Sequence, residues 1–297
     1  RWYLHNQLGH QTPNSQISFF QSFFQPLCHQ GLSLPAAERP KALSQRMGDI
    51  PYLGCRIFAP QPWEQQYPQL DVPDEAIEKV LGWVAEQVWQ RDLPSPGPPS
   101  PELAASAHAV ITRADLAVAW EALLAVPGET IDGTATEQLA DLAEHTVDAH
   151  ILRAIAPPDA SAAVSLPEQL AAMTDDRCHQ LIATVLPNLS MLDPACGSGR
   201  FLLMTLERLQ AIYQTCWDYA QTASHPGLQS WVRSLQALDC PPQWSWTRQI
   251  VTQTLYGVDI RPEAIAVTQT QLWLRLLSTI PAGKPLPLLP DLDFNIV

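Results

Sequence analysis

Basic residues are scarce in this chain. Lys and Arg number 17 against 30 Asp and Glu, a formal net charge of −13. A protein that grips a nucleic-acid duplex sets Lys and Arg against the phosphates, and no cluster of them is present. Either the partner is not nucleic acid, or the surface that holds it lies mostly outside these residues. The six cysteines, at 28, 55, 178, 196, 216 and 240, include no Cys-x-x-Cys pair and no His at a metal-ligand spacing. That removes zinc ribbons and redox dithiols, and no metal is expected. Reduced thiols in a cytoplasmic protein are the simplest account. No uninterrupted apolar run is long enough to span a bilayer, so no membrane partner is expected. The opening run Arg1 to Gln16 is polar and lacks a secretory pattern. No Gly-Lys-Ser/Thr word follows a glycine loop, which excludes the common phosphate cradle. No Ser-His-Asp or Cys-His arrangement stands out either. Of the 297 residues 46% are hydrophobic, too many for a disordered chain and enough for two domains.

Against these absences, one stretch is rich in information: Leu192-Asp193-Pro194-Ala195-Cys196-Gly197-Ser198-Gly199-Arg200-Phe201-Leu202-Leu203. An apolar run, Pro187 to Leu192, reads as a short buried strand. A strand-end acid and a loop of small residues follow. Gly197 and Gly199 allow a sharp turn and close approach of backbone to a ligand. Phe201, Leu202, Met204, Leu206 and Leu209 then fit one side of a helix whose first N–H groups face the loop. A nicotinamide site wants Gly-x-Gly-x-x-Gly and an acid about 20 residues on. Here Leu202 stands at the third glycine, and the next strand-end acid, Asp259, is much further along.

That acid belongs to a second word, Leu255-Tyr256-Gly257-Val258-Asp259-Ile260-Arg261-Pro262-Glu263-Ala264-Ile265. Pro262 suits the first turn of a helix. Ile265, Gln269, Leu272 and Leu276 give that helix a face, widened by Trp273 and Leu277. Between the two words, from Gln214 to Gln249, an insertion carries Trp217, Trp231, Trp244 and Trp246. Aromatics of this kind could stack on bases. Their mixed spacing favours a packed subsidiary element.

The two words resemble motifs I and II of class I S-adenosyl-L-methionine-dependent methyltransferases, and more narrowly the adenine-specific DNA methyltransferases of restriction–modification systems. The resemblance implies cofactor binding by Asp193, Pro194, Ala195, Cys196, Gly197, Ser198, Gly199 and Asp259, with Asp259 on the ribose and Ile260 packed on the adenine ring. Softer likenesses lie upstream. The segments 50–58, 63–67 and 72–77 resemble a region preceding the methyltransferase in large fused (type IIG-like) restriction–modification enzymes. Asp74 reads as the cap of a helix through Ile77, Val80, Leu81 and Val84. Asp115 to Leu124 resembles the helix ahead of motif X. Gly133-Thr134-Ala135-Thr136 resembles motif X itself, without its tyrosines and proline. Thr136 is either a cofactor contact or a plain N-cap.

The organisation that follows has a mainly helical region over 1–92 and a Pro-rich linker over 93–107. A helical region over 108–185 leads into the incomplete N-terminal part of the methyltransferase domain over 186–297. Phe19-Phe20 and Phe23-Phe24 repeat at helical spacing and suggest one shared core face. The expected fold class is α/β, a truncated Rossmann-like sheet behind a helical region. Asp291 to Val297 resembles the run into the third strand. No Asn-Pro-Pro or Asp-Pro-Pro word occurs anywhere, so the family's catalytic motif is expected beyond Val297, and no catalytic residue is assigned. The implied reaction moves a methyl group from the cofactor to the exocyclic amine of adenine in double-stranded DNA. The fused-enzyme likeness implies nuclease and target-recognition domains. Alternatives of the same chemistry are an RNA or protein methyltransferase, or an inactive scaffold. The chain alone is expected to bind cofactor weakly at most and not to methylate.

Overall fold

Aromatic spacing shapes the first part of the chain. Phe19 stacks on Phe23 with ring centroids 4.9 Å apart, and Phe20 on Phe24 at 6.2 Å. The computed structural model describes residues 18–53, 58–60, 62–69, 71–86, 88–89, 110–111, 136–155, 165–281 and 287–297. The linker, the segment 112–135 with most of motif X, and the loop at 156–163 lie outside these residues. The chain divides into two compact units, Arg1–Leu116 and Ala117–Val297.

In the first unit Phe20, Phe23 and Phe24 sit on a wide helical turn, Phe20–Phe24, and a second such turn follows at Leu27–Leu32. Only one pair faces inward. Phe23 is buried with Leu43, Met47 and Ile50, and Phe19, Leu27 and Leu32 pack against them; Phe24 is exposed. The expectation of one shared core face is corrected on this point, because five-residue turns rotate the second pair outward. Helices α1 (Lys41–Met47), α2 (Pro62–Gln66) and α3 (Asp74–Glu86) follow. Asp74 is the first helical residue rather than the cap. Its carboxylate accepts the Phe19 N–H at 2.7 Å. A two-residue strand β1 (Val88–Trp89) pairs in parallel with β2 (Val110–Ile111), where the sequence suggests helix from 108 onward. Val88 and Trp89 in one strand and Val110 and Ile111 in the other are β-branched or aromatic, the residue types enriched in strands.

The second unit is mostly helical around a small parallel sheet. Helix α4 (Thr136–Ile155) is followed by α5 (Leu166–Ala171) and α6 (Asp175–Gln180). Ser165 and Glu168 form a reciprocal capping box at the start of α5. Strand β3 (Met191–Asp193) starts later than expected. Pro187 and Asn188 belong to a tight 3-10 turn, and the Asn188 side chain donates to Thr184 O at 2.7 Å. After the glycine loop come α7 (Arg200–Ala220), α8 (Pro226–Gln236) and α9 (Pro242–Gln249). Strand β4 (Leu255–Gly257) and α10 (Pro262–Leu277) complete the pattern.

β3 and β4 pair in parallel with Met191 opposite Leu255 and Asp193 opposite Gly257. On the other side of β4, Gly257 bridges in parallel to Ile296. The terminal segment therefore runs as a third strand beside the second, as its resemblance suggests. Leu202, Leu206 and Ile212 of α7 are fully buried, as are Leu255, Ala264, Leu272 and Leu276. Each such Leu or Ile side chain contributes about 1.5–3 kcal/mol. Arg208 of α7 makes a two-pronged pair with Asp148 of α4, Nε to Oδ1 at 2.8 Å and a terminal nitrogen to Oδ2 at 2.6 Å. The inserted helices close over an aromatic cluster. Tyr213 stacks on Trp246 at 6.1 Å, and Trp217 meets Trp231 edge-on at 5.8 Å. Trp217, Trp244 and Trp246 are buried, so these rings are a subsidiary core and not a base-stacking platform.

Candidate functional site

Parallel pairing of β3 and β4 puts their C-terminal ends side by side, and each ends at or near an acid. The ladder continues past the strands: Val258 N–H donates to Asp193 O at 2.9 Å, and Cys196 N–H donates to Val258 O at 2.9 Å. The glycine loop is thereby stitched to the second word. Gly197 and Gly199 have φ of 53° and 81°, a backbone that L side chains rarely adopt. Gly199 N–H closes the turn on Cys196 O at 2.8 Å, and α7 begins at the next residue.

Asp259 holds the two words together. Its Oδ2 accepts the Gly197 N–H at 2.8 Å and its Oδ1 accepts the Arg261 N–H at 2.9 Å. Asp193 Oδ1 accepts the Ala195 N–H at 3.1 Å. Burial pushes the Asp193 carboxyl above its ordinary pKa, and the nearby Asp259 charge adds to this; the Ala195 N–H opposes both. Burial likewise pushes the Cys196 thiol up to about 11, so at neutral pH it is an uncharged packing group and not a nucleophile.

The expected site residues fall into two groups. Pro194 and Ala195 are exposed, and Ile260 projects almost wholly into solvent at 96% exposure. A Cβ added to Gly197 would point into open space. By contrast Cys196 and Ser198 are buried. Their backbone, rather than their side chains, is what the loop offers to a ligand. Cys196 Sγ lies under Gly257, where an added Cβ would meet it at 3.1 Å and Leu202 Cδ1 at 2.9 Å. Thr136 opens α4, but its side chain lies outside the described residues, as does the motif X segment before it.

Two residues of the site have roles that the sequence reading does not assign. Gly257 keeps β4 close to α7, as just described. Thr268 of α10 donates its hydroxyl to Gly197 O at 2.8 Å. Its signal in the sequence is faint: Ala264 and Thr268 put two small residues one helical turn apart, where a helix can approach a loop closely.

Arranged this way, two carboxylates and a turn of backbone N–H groups flank an open glycine. Such a set can hold a polar, hydroxyl-bearing ligand with a positive group. Among the described residues no group of three or more His, Cys, Asp or Glu could hold a metal ion. Among them, too, no helix is long and apolar enough to cross a membrane.

Residues 170–278 match the family described as MmeI, DNA-methyltransferase domain. The match covers less than half of the chain, lies within the second unit and contains both words. It supports a restriction–modification DNA methyltransferase. Comparison with curated proteins and with solved structures gives no match.

Proposed function

We propose that this chain carries the cofactor-binding part of a Rossmann-like, S-adenosyl-L-methionine-dependent DNA methyltransferase. We further propose that it is adenine-specific and belongs to a fused restriction–modification enzyme. One observation carries the reading: the Gly197 N–H donates to Asp259 Oδ2 at 2.8 Å, so glycine loop and strand-end acid form one cradle. The order of the three parallel segments and the match over residues 170–278 support it.

The residues present fit the group. A carboxylate has about four acceptor positions, and the backbone occupies two at Asp259. The remaining lone pairs suit the two vicinal hydroxyls of a ribose. Ile260, exposed beside it, offers an apolar surface to a purine. Asp193, whose charged form is disfavoured by burial, gains from any cation brought near. The first N–H groups of α7 face the loop and favour a carboxylate there. When bound, the cofactor supplies an electrophilic methyl group on a sulfonium. The chain's residues hold and orient; electrostatics and position supply the rate. The amine acceptor needs the Asn/Asp-Pro-Pro-aromatic word, which this sequence does not contain. It also needs a basic surface, which a net charge of −13 does not provide.

The test is a titration of the isotope-labelled chain with S-adenosylhomocysteine, followed through amide chemical shifts, which register even millimolar affinity. Shifts confined to 193–199 and 257–261 are expected, with no transfer of labelled methyl to DNA by this chain alone. No shifts, or shifts elsewhere, overturn the cofactor reading. In cells carrying the whole gene, N6-methyladenine is expected at a defined DNA site; methylation only of cytosine, RNA or protein overturns the substrate.

A further inference from the structure

We infer that Thr268 is the positioning residue that holds the glycine loop in its ligand-ready shape, an inference that rests on the cofactor reading above for its functional part. Thr268 is fully buried in α10. A threonine inside a helix usually returns its hydroxyl to the carbonyl four residues back, and Thr270 does so, donating to Ala266 O at 2.7 Å. Thr268 instead reaches 71 residues back in sequence to Gly197 O, at 2.8 Å.

The same side chain meets the loop at two more points. Its Oγ1 lies 3.9 Å from Cys196 Sγ. Its Cγ2 and Oγ1 stand 2.8 and 2.9 Å from where a Cβ on Gly199 would be. One residue of α10 thus braces three of the four loop residues 196–199. Gly197 is held on both sides, its N–H by Asp259 and its C=O by Thr268. The Gly197–Ser198 peptide is trans, and in a trans peptide the N–H points opposite to the C=O. Drawing the Gly197 carbonyl toward α10 therefore turns the Ser198 N–H away from α10. The methyl group of Thr268 fills space, a task valine would do as well. Its hydroxyl sets the direction of a peptide, which valine cannot do.

The experiment compares Thr268→Val with Thr268→Ser by hydrogen exchange in the ligand-free chain and by the S-adenosylhomocysteine titration. Losing one buried hydrogen bond corresponds to about a tenfold change. Thr268→Val is expected to exchange about tenfold faster than wild type in peptides covering 193–203, with α4 and α8 unchanged. Its affinity is expected to fall about tenfold, and serine is expected to restore most of both. Unchanged loop exchange in Thr268→Val overturns the inference. Should the valine variant not fold, Thr268→Ser against Thr268→Ala decides, because both lack Cγ2 and only serine keeps the hydroxyl; equal loop exchange in that pair overturns it. The two readings separate cleanly. A wild-type chain that shows no shifts refutes the cofactor reading while the exchange arm still decides the hold on the loop. A wild type that binds, with a valine variant that binds equally well, refutes the functional part of the Thr268 inference alone.

Discussion

Gly197 and Gly199 share a left-handed backbone but not an environment, and alanine at each position separates two costs. At Gly197 the added Cβ meets nothing within 4 Å. Only the positive φ of 53° matters there, a cost of about 1–2 kcal/mol for an L-residue. At Gly199, with φ 81°, the same strain applies. In addition the Cβ would sit 2.8 Å from Thr268 Cγ2, 2.9 Å from its Oγ1 and 3.2 Å from its Cβ. Thr268 cannot swing aside without giving up its bond to Gly197 O. Overpacking of this kind costs about a further 1–3 kcal/mol. Gly199→Ala is therefore expected to destabilise the second unit by about 2–5 kcal/mol, and Gly197→Ala by about 1–2 kcal/mol. Urea unfolding followed by far-UV circular dichroism measures both. Placing Gly199→Ala in a Thr268→Ala background removes the two closest atoms and leaves only the contact at 3.2 Å, so the penalty should shrink by about 1–2 kcal/mol. Equal losses for the two glycine variants, or no relief in the double variant, would refute the packing of α10 against the loop.

Asp193 carries a raised carboxyl pKa, so the folded chain holds that proton more tightly than the unfolded chain does. This contribution stabilises the fold at pH below the ordinary carboxylate value and is lost as pH rises through the raised value. Asp193→Asn should raise the urea midpoint at neutral pH and flatten its rise on acidification, while weakening S-adenosylhomocysteine binding; an unchanged pH profile counts against it. Asp259→Ala should free the Gly197 and Arg261 N–H groups and speed hydrogen exchange at both, with loss of the nucleoside-induced shifts; protection retained at Gly197 would contradict the latch. Asp148→Ala leaves the partly buried Arg208 guanidinium without its two-pronged partner. It should cost about 2 kcal/mol in the same unfolding assay, and a loss near zero would mean that Glu144, 3.6 Å away, takes over.

The glycine loop and the second acid were legible because each is a local word: strand, acid, small residues, helix. Their meeting was legible only through the resemblance, since nothing in the spacing of residues 193 and 259 dictates adjacent strands. Thr268 was hidden for a physical reason. A hydroxyl on a helix reads as surface or as self-bonded, and its partner lies 71 residues away. Asp74 was misplaced by one position because an acid serves equally as a cap or as a first-turn residue. Here it is drawn to Phe19, 55 residues earlier in the sequence. The tryptophans of the insertion showed no clean period because they pack from three helices onto one another and not along one face.

Helix α7 makes that distant aromatic cluster matter to the loop. Its 21 residues, Arg200–Ala220, make a rod about 31 Å long. One end carries the turn after Gly199; near the other, Trp217 is wedged between Trp231 and Trp246. The Arg208 pair with Asp148 ties the rod to α4 partway along. Repacking at the tryptophans is therefore expected to be felt along the rod as far as the loop at its other end. A misplacement of about 1 Å at reacting groups is enough to cost on the order of a hundredfold in rate. Substitutions in the insertion are thereby expected to disturb the placement of the glycine loop as well as the local packing.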